Sequence, residues 1–161
     1  FDLVNPFYRN NQGEPMLSKG PELNDVETFS YRNDEDMCRS LMKTLRKWIV
    51  DEKIPASEVV VLTPKSLDRS ALMKNAAGAP FSLVRDHSAG ARNEVLCSTI
   101  HSFKGLEQKF VAVAELDEEL LKFSQVDRQN RFYVGFSRAK HHLAVFATAN
   151  VLEELKEARG C

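Results

Sequence analysis

No G-x-x-x-x-G-K-[ST] loop that could cradle α- and β-phosphates occurs in this chain, and no acidic strand of the kind that holds Mg2+. It therefore cannot hydrolyse a nucleoside triphosphate alone. Cysteine is scarce: Cys38, Cys97 and Cys161 are odd in number and far apart, with no C-x-x-C pairing, which excludes a disulfide framework and a zinc site and leaves buried thiols as the expectation. The four histidines, His87, His101, His141 and His142, have no metal-ligand spacing, so no protein-held metal is expected. No run approaches the roughly 18 apolar residues that span a bilayer, and Phe1–Asn10 lacks the basic start and apolar middle of a signal peptide. The expected compartment is the cytoplasm. Nor is there an excess of positive charge: a net charge of −1 excludes a surface that grips nucleic acid everywhere, so any such contact must be local.

What is present suits one domain. A chain of 161 residues, 43% hydrophobic, buries one ordinary core. It opens at Phe1 without an initiator methionine, which suggests a piece of a longer polypeptide. Turn signals at Asn5-Pro6, Gly13-Glu-Pro15 and Gly20-Pro21 make residues 1–25 an extended lead-in, with the domain proper over residues 26–161.

Val26–Arg32 alternates apolar and polar residues, the pattern of a half-buried edge strand. Asn33 or Asp34 caps a helix expected through Glu52, with Met37, Leu41, Leu45, Trp48 and Ile49 at helical spacing and three acids at the positive end of the dipole. Glu58–Thr63 is continuously apolar, as a central parallel strand is. A short helix over Ser66–Ala77, strands over Ala79–Val84, Val95–Ile100 and Phe110–Leu116, a helix over Asp127–Lys140, a strand over His141–Thr148 and a helix over Val151–Arg159 follow. The polar stretch Arg85–Glu94 reads as a loop. This order predicts an α/β fold, a mostly parallel sheet with helices on both faces.

Two blocks carry chemistry. Cys97-Ser-Thr-Ile-His-Ser-Phe-Lys-Gly-Leu-Glu107 gathers a hydroxyl, an imidazole, an ammonium, a glycine and a carboxylate at a strand exit, the edge where parallel sheets present ligands. Gly105 permits a positive φ or close approach of a ligand to the backbone. The same residue types also suit an ordinary polar turn. In Tyr133-Val-Gly-Phe-Ser-Arg-Ala-Lys140, Arg138 is the one cation before Lys140; its planar, permanently charged fork suits phosphate oxygens, though an arginine near a helix end is also favoured by the dipole.

The first block, T-x-H-x-x-K-G-L-E before an apolar strand, resembles motif V of UvrD/Rep-type superfamily 1 helicases, and the second resembles their motif VI. Val59–Lys65 resembles the strand that precedes motif V. The resemblance covers roughly Val26 to Thr148 and implies the second RecA-like domain of a DNA helicase. It implies that Thr99 and His101 lie near single-stranded DNA, that Gly105 and Glu107 face the nucleotide with Glu107 near the ribose, and that Lys104 lies by the phosphates or supports the loop. Arg138 would be an arginine finger reaching the γ-phosphate of ATP with Mg2+, held mainly by a first RecA-like domain of the same polypeptide. That family often has a further arginine just before the Tyr-Val pair, and Gln129-Asn-Arg-Phe-Tyr133 leaves the role of Arg131 open. Tyr8-Arg9 shares the aromatic–arginine pair of motif IV in an unusual Asn-Pro-Phe setting. Only residues 65–94 separate the pre-motif strand from motif V, too few for the extra domain larger relatives insert there. The loop Arg85–Asn93, with two arginines and a histidine, is either a backbone contact to DNA or a solvated surface loop. A different reading is a non-catalytic module that clamps nucleic acid or protein.

Overall fold

The computed structural model describes residues 25–74, 77–78, 81–86, 92–103 and 105–160. Most of the lead-in, Tyr8-Arg9, His87, Lys104 and Cys161 lie outside the described residues. Strand β1, Asp25–Tyr31, ends at Asn33, whose side chain accepts from the Asp36 amide at 2.8 Å and so starts helix α1, Asp34–Arg46. α1 passes directly into a π-helical turn, Lys47–Asp51, with Glu52 as its cap. The turn seats Trp48, 1% exposed, in a tilted contact with Phe110 at 5.4 Å between centroids.

Strand β2, Val59–Thr63, is buried along its whole length. The helix expected over Ser66–Ala77 is shorter, a single turn, α2, over Ala71–Lys74. Ser66 to Ser70 instead form a turn in which the Arg69 and Ser70 amides donate to the Ser66 carbonyl at 3.0 Å. A two-residue strand β3, Ala77–Gly78, not expected from the sequence, pairs antiparallel with β4, Phe81–Val84. Strands β5, Glu94–Thr99, and β6, Gln108–Leu116, follow, then helix α3, Gln125–Phe136, strand β7, Ala139–Thr148, and helix α4, Ala149–Gly160.

The helix expected over Asp127–Lys140 is thereby corrected at its end. Ser137 caps α3, its amide donating to the Tyr133 carbonyl at 3.0 Å, and Ala139 already pairs with Gln108 in the sheet. Arg138 lies in the turn between helix and strand, and Lys140 lies on β7.

The strands form one sheet in the order β1-β7-β6-β2-β5-β4-β3, parallel but for the β3–β4 pair, with β1 at an edge and β2 inside as expected. Alternation along β2 divides two cores. Val59 and Val61 pack toward α1 and α2 with Met37, Leu41, Trp48 and Leu72, whereas Val60 and Leu62 pack toward α3 and α4 with Phe132, Phe136, Val151 and Leu155. Cys97 is buried, as expected of the thiols, but Cys38 is only half-buried.

One carboxylate sits inside the sheet. Glu115, 1% exposed, has a φ of +60° at an irregularity in the β6–β7 register between Val113 and Leu116. It accepts from the Thr63 hydroxyl at 3.0 Å, from the Ala71 amide at 3.3 Å and, in a short bond, from Ser70 Oγ. Lys65 lies 3.9 Å from it and 2.6 Å from Asp117. Burial would lower the Lys65 pKa, but its bond to Asp117 and the nearby carboxylates hold it above the ordinary lysine value.

Candidate nucleic-acid and nucleotide interfaces

Motif V starts where β5 leaves the sheet. The Ile100 amide donates to the Thr63 carbonyl at 2.9 Å, so β2 fixes the start of the loop. Thr99 closes a tight turn: its Oγ1 accepts from the Ser102 amide at 3.0 Å and its carbonyl from the Phe103 amide at 3.1 Å. Ile100 and Phe103 are buried and pin the turn to the core, while His101 is exposed. Gly105 follows with φ +86°, the left-handed conformation anticipated for it, where any side chain would be strained.

The two ends of this loop lie at opposite edges of the sheet. Thr99 is level with Thr63 at the carboxyl ends of β5 and β2. Gln108 begins β6 beside Ala139, the first residue of β7, and its side-chain amide donates to the Ser57 carbonyl at 2.9 Å, just before β2 starts. The expectation that the whole block occupies the carboxyl edge is corrected: Thr99 is there, but Glu107, next to Gln108, is at the amino edge. Parallel strands require this, because the chain must return across the sheet before the next strand can start.

α3 runs the same way, from its cap Ser124 to Arg138, so motif VI also reaches both ends. At the carboxyl end, Asp127, Asn130, Arg131 and Val134 of α3 enclose with Pro64, Thr99, Ile100 and His101 a pocket of about 300 Å3. At the amino edge, Arg138 Nε donates to the Val134 carbonyl at 2.9 Å and Nη1 to the Leu106 carbonyl at 3.2 Å. The Arg138 carbonyl accepts from the Gln108 amide at 2.9 Å, so backbone and side chain both tie motif VI to motif V. Glu107 pairs with Lys140 at 3.1 Å, both about half exposed. Exposed pairs of this kind contribute about 0–1 kcal/mol, so either partner can turn to a ligand at little cost.

The structure thus brings together Thr99 with His101, and separately Gly105 and Glu107 with Arg138. Sequence reading missed three participants. Asn130 and Asp127 enter only because α3 passes the Thr99 turn, a relationship no local pattern carries. Glu115 had a signal, a carboxylate inside the apolar run Phe110–Leu116. Among the described residues no three His, Cys, Asp or Glu side chains gather as a metal site, and no helix is long and apolar enough to cross a membrane.

The protein of Saccharomyces cerevisiae provisionally named ATP-dependent RNA helicase ECM32 is 26% identical over 160 residues, an alignment covering 81% of this chain. The chain spans only 14% of that relative's length. The structure of the C-terminal domain of a possible DNA helicase from Lactobacillus plantarum WCFS1 superposes with a TM-score of 0.58 at 20% identity, over 84% of each chain, a likeness of fold. Residues 94–146, which hold both blocks, match the family model for the UvrD-like helicase C-terminal domain. Over those residues the chain is similar to UvrD-like helicase C-terminal domains.

Proposed function

We propose that this chain is the second RecA-like domain of an ATP-dependent helicase, completing the ATP site from its amino edge and gripping single-stranded nucleic acid at its carboxyl edge. One observation carries this reading: a single loop delivers Thr99 and His101 to one edge and Glu107 to the other, and one helix accompanies it to both. Two ligands can thus be coupled through one rigid strap. Arg138 supplies charge to the γ-phosphate of ATP bound with Mg2+ on the first RecA-like domain. The two carbonyls that hold its Nε and Nη1 fix the plane of the guanidinium, and among the described residues Nη2 has no protein partner. A pre-aligned cation of this sort acts on charge that develops during phosphoryl transfer. Glu107 accepts from the ribose, Gly105 faces the nucleotide, and Lys104 either meets the phosphates or supports the loop. Closure on ATP and opening after hydrolysis then shift the grip of Thr99 and His101 along the strand.

The strand is DNA by motif resemblance. RNA is the second reading, favoured by the name of the yeast relative. In the full-length protein, Thr99→Ala with His101→Ala weakens binding of single strands, whereas Glu107→Ala raises the KM for ATP. Titration with matched deoxy- and ribo-oligonucleotides separates the two strand types. Equal defects of both variants in strand affinity and ATP KM would overturn the division of roles.

A further inference from the structure

Arg131 has no part in the amino-edge cluster, and its surroundings point elsewhere. Its guanidinium carbon lies 4.1 Å above the centre of the Phe123 ring, and it lines the pocket of Thr99 and His101. No carboxylate pairs with it among the described residues. A planar cation laid on an aromatic ring at a pocket's edge, without a counter-charge, retains its capacity to stack on a second flat group.

Phe123 is exposed, at 40%, yet held in place. Its amide donates to the Leu120 carbonyl at 3.1 Å, and its carbonyl accepts from Arg128 Nη1 at 2.6 Å. Arg128 is itself clamped by Glu154 of α4, and Ser124 immediately starts α3. An apolar ring left half in water on a fixed backbone is what a stacking surface needs, since little ordering remains to be done on binding.

We propose that Phe123 and Arg131 form a two-layer platform on which one unpaired base of the single strand stacks, with its edge toward Thr99, His101 and Asn130. This rests on the nucleic-acid reading of Thr99 and His101 given above. The pocket chemistry selects a base over a phosphate: Asp127 is among the lining residues, and its carboxylate repels a phosphate but accepts from an amino group or hydroxyl. The volume, about 300 Å3, lies at the low end of ligand sites and suits one ring system. With a net charge of −1, the chain lacks the general electrostatic grip, so stacking supplies affinity that charge does not.

The test places 2-aminopurine in an oligothymidylate and measures its fluorescence and binding anisotropy with the full-length protein. Phe123→Ala and Arg131→Ala are expected to weaken binding about 5- to 150-fold, the range for loss of one stacked base. Both abolish the quenching that stacking produces. Phe123→Trp retains binding. Arg131→Lys keeps the charge but not the plane, so it loses nearly as much as Arg131→Ala and leaves the salt dependence unchanged. If Phe123→Ala and Arg131→Lys bind like the unaltered protein, the platform is overturned. If, in that case, Thr99→Ala with His101→Ala still weakens binding, the nucleic-acid reading stands without it; if that variant too is without effect, the carboxyl-edge reading falls as well.

Discussion

Arg138 Nη1 donates to the carbonyl of Leu106 at 3.2 Å, a bond between residues 32 apart in sequence that joins the end of α3 to the far end of the motif V loop. Leu106 is 55% exposed, so the bond lies at the surface, where a second domain can reach the same guanidinium. The two motifs therefore form one structure whatever binds them. A movement of the loop at one edge is felt by the arginine at the other.

Arg138→Ala in the full-length protein is expected to lower ATP turnover on the order of 10³-fold with nucleotide binding retained, since a finger acts on charge present only in the transition state. Arg138→Lys should not rescue it, because an ammonium cannot satisfy two carbonyls and a phosphate in one plane. Steady-state ATPase assays with a separate nucleotide-binding titration check this. Near-normal turnover would reassign Arg138 to tying the two motifs together.

The alkaline limb of stability should fall. Burial, aided by Asp117 and Glu115, pushes the Tyr31 hydroxyl well above its ordinary value of 10.0, and burial pushes the Cys97 thiol up to about 12 from 9.0. In the unfolded chain both groups ionise at their ordinary values, whereas the native state keeps them protonated. Above pH 9 the unfolded state thus binds fewer protons and stability declines, by at most about 1.4 kcal/mol per pH unit for each group. Tyr31→Phe should flatten the decline above pH 10. It should be neutral or slightly stabilising at pH 8, because the buried Tyr31 hydroxyl has no hydrogen-bond partner among the described residues. Urea midpoints between pH 8 and pH 11 decide.

Glu115→Ala is expected to destabilise by about 3 kcal/mol or more. It orphans the Thr63 and Ser70 hydroxyls in the interior, at about 1–3 kcal/mol for each buried donor. Lys65 retains Asp117, which limits the loss. A change under 1 kcal/mol in denaturant titration would mean that water replaces the carboxylate.

The sheet was legible because its elements carry local marks: β2 four consecutive apolar residues, β1 alternation, α1 Asn33 and its acids. What was missed depends on contacts distant in sequence. The end of α3 is set by the pairing of Ala139 with Gln108, which overrides a helical pattern running on to Lys140. The π turn at Lys47–Asp51 follows from seating Trp48 against Phe110, 62 positions later. The residues of motifs V and VI were visible as motifs. Their division between two edges was not, because it comes from the return of the chain between two parallel strands and not from any spacing.

The last prediction concerns how closely α3 approaches the motif V turn. A β-carbon added at Gly135 would lie 3.2 Å from Ile100 Cδ1, closer than ordinary contact, and Ile100 lines the pocket. Gly135→Ala sets a gain in helix propensity of up to about 1 kcal/mol against that crowding, so its net effect should be small. Gly135→Val adds two further carbons and should destabilise by about 1–3 kcal/mol, because a buried turn anchored to Thr63 cannot retreat. It should also weaken strand binding, as Ile100 is driven toward the pocket. Trimming the neighbour tests the cause: in Ile100→Val the crowding carbon is gone, so Gly135→Ala should stabilise that background more than it does the unaltered protein. A double-mutant cycle with a coupling of 0.5 kcal/mol or more in that direction, measured by thermal unfolding, is the expected result. Simple additivity would mean that the helix and the turn do not press on each other, and that the two motifs are joined only at the amino edge, through Arg138 and the Glu107–Lys140 pair.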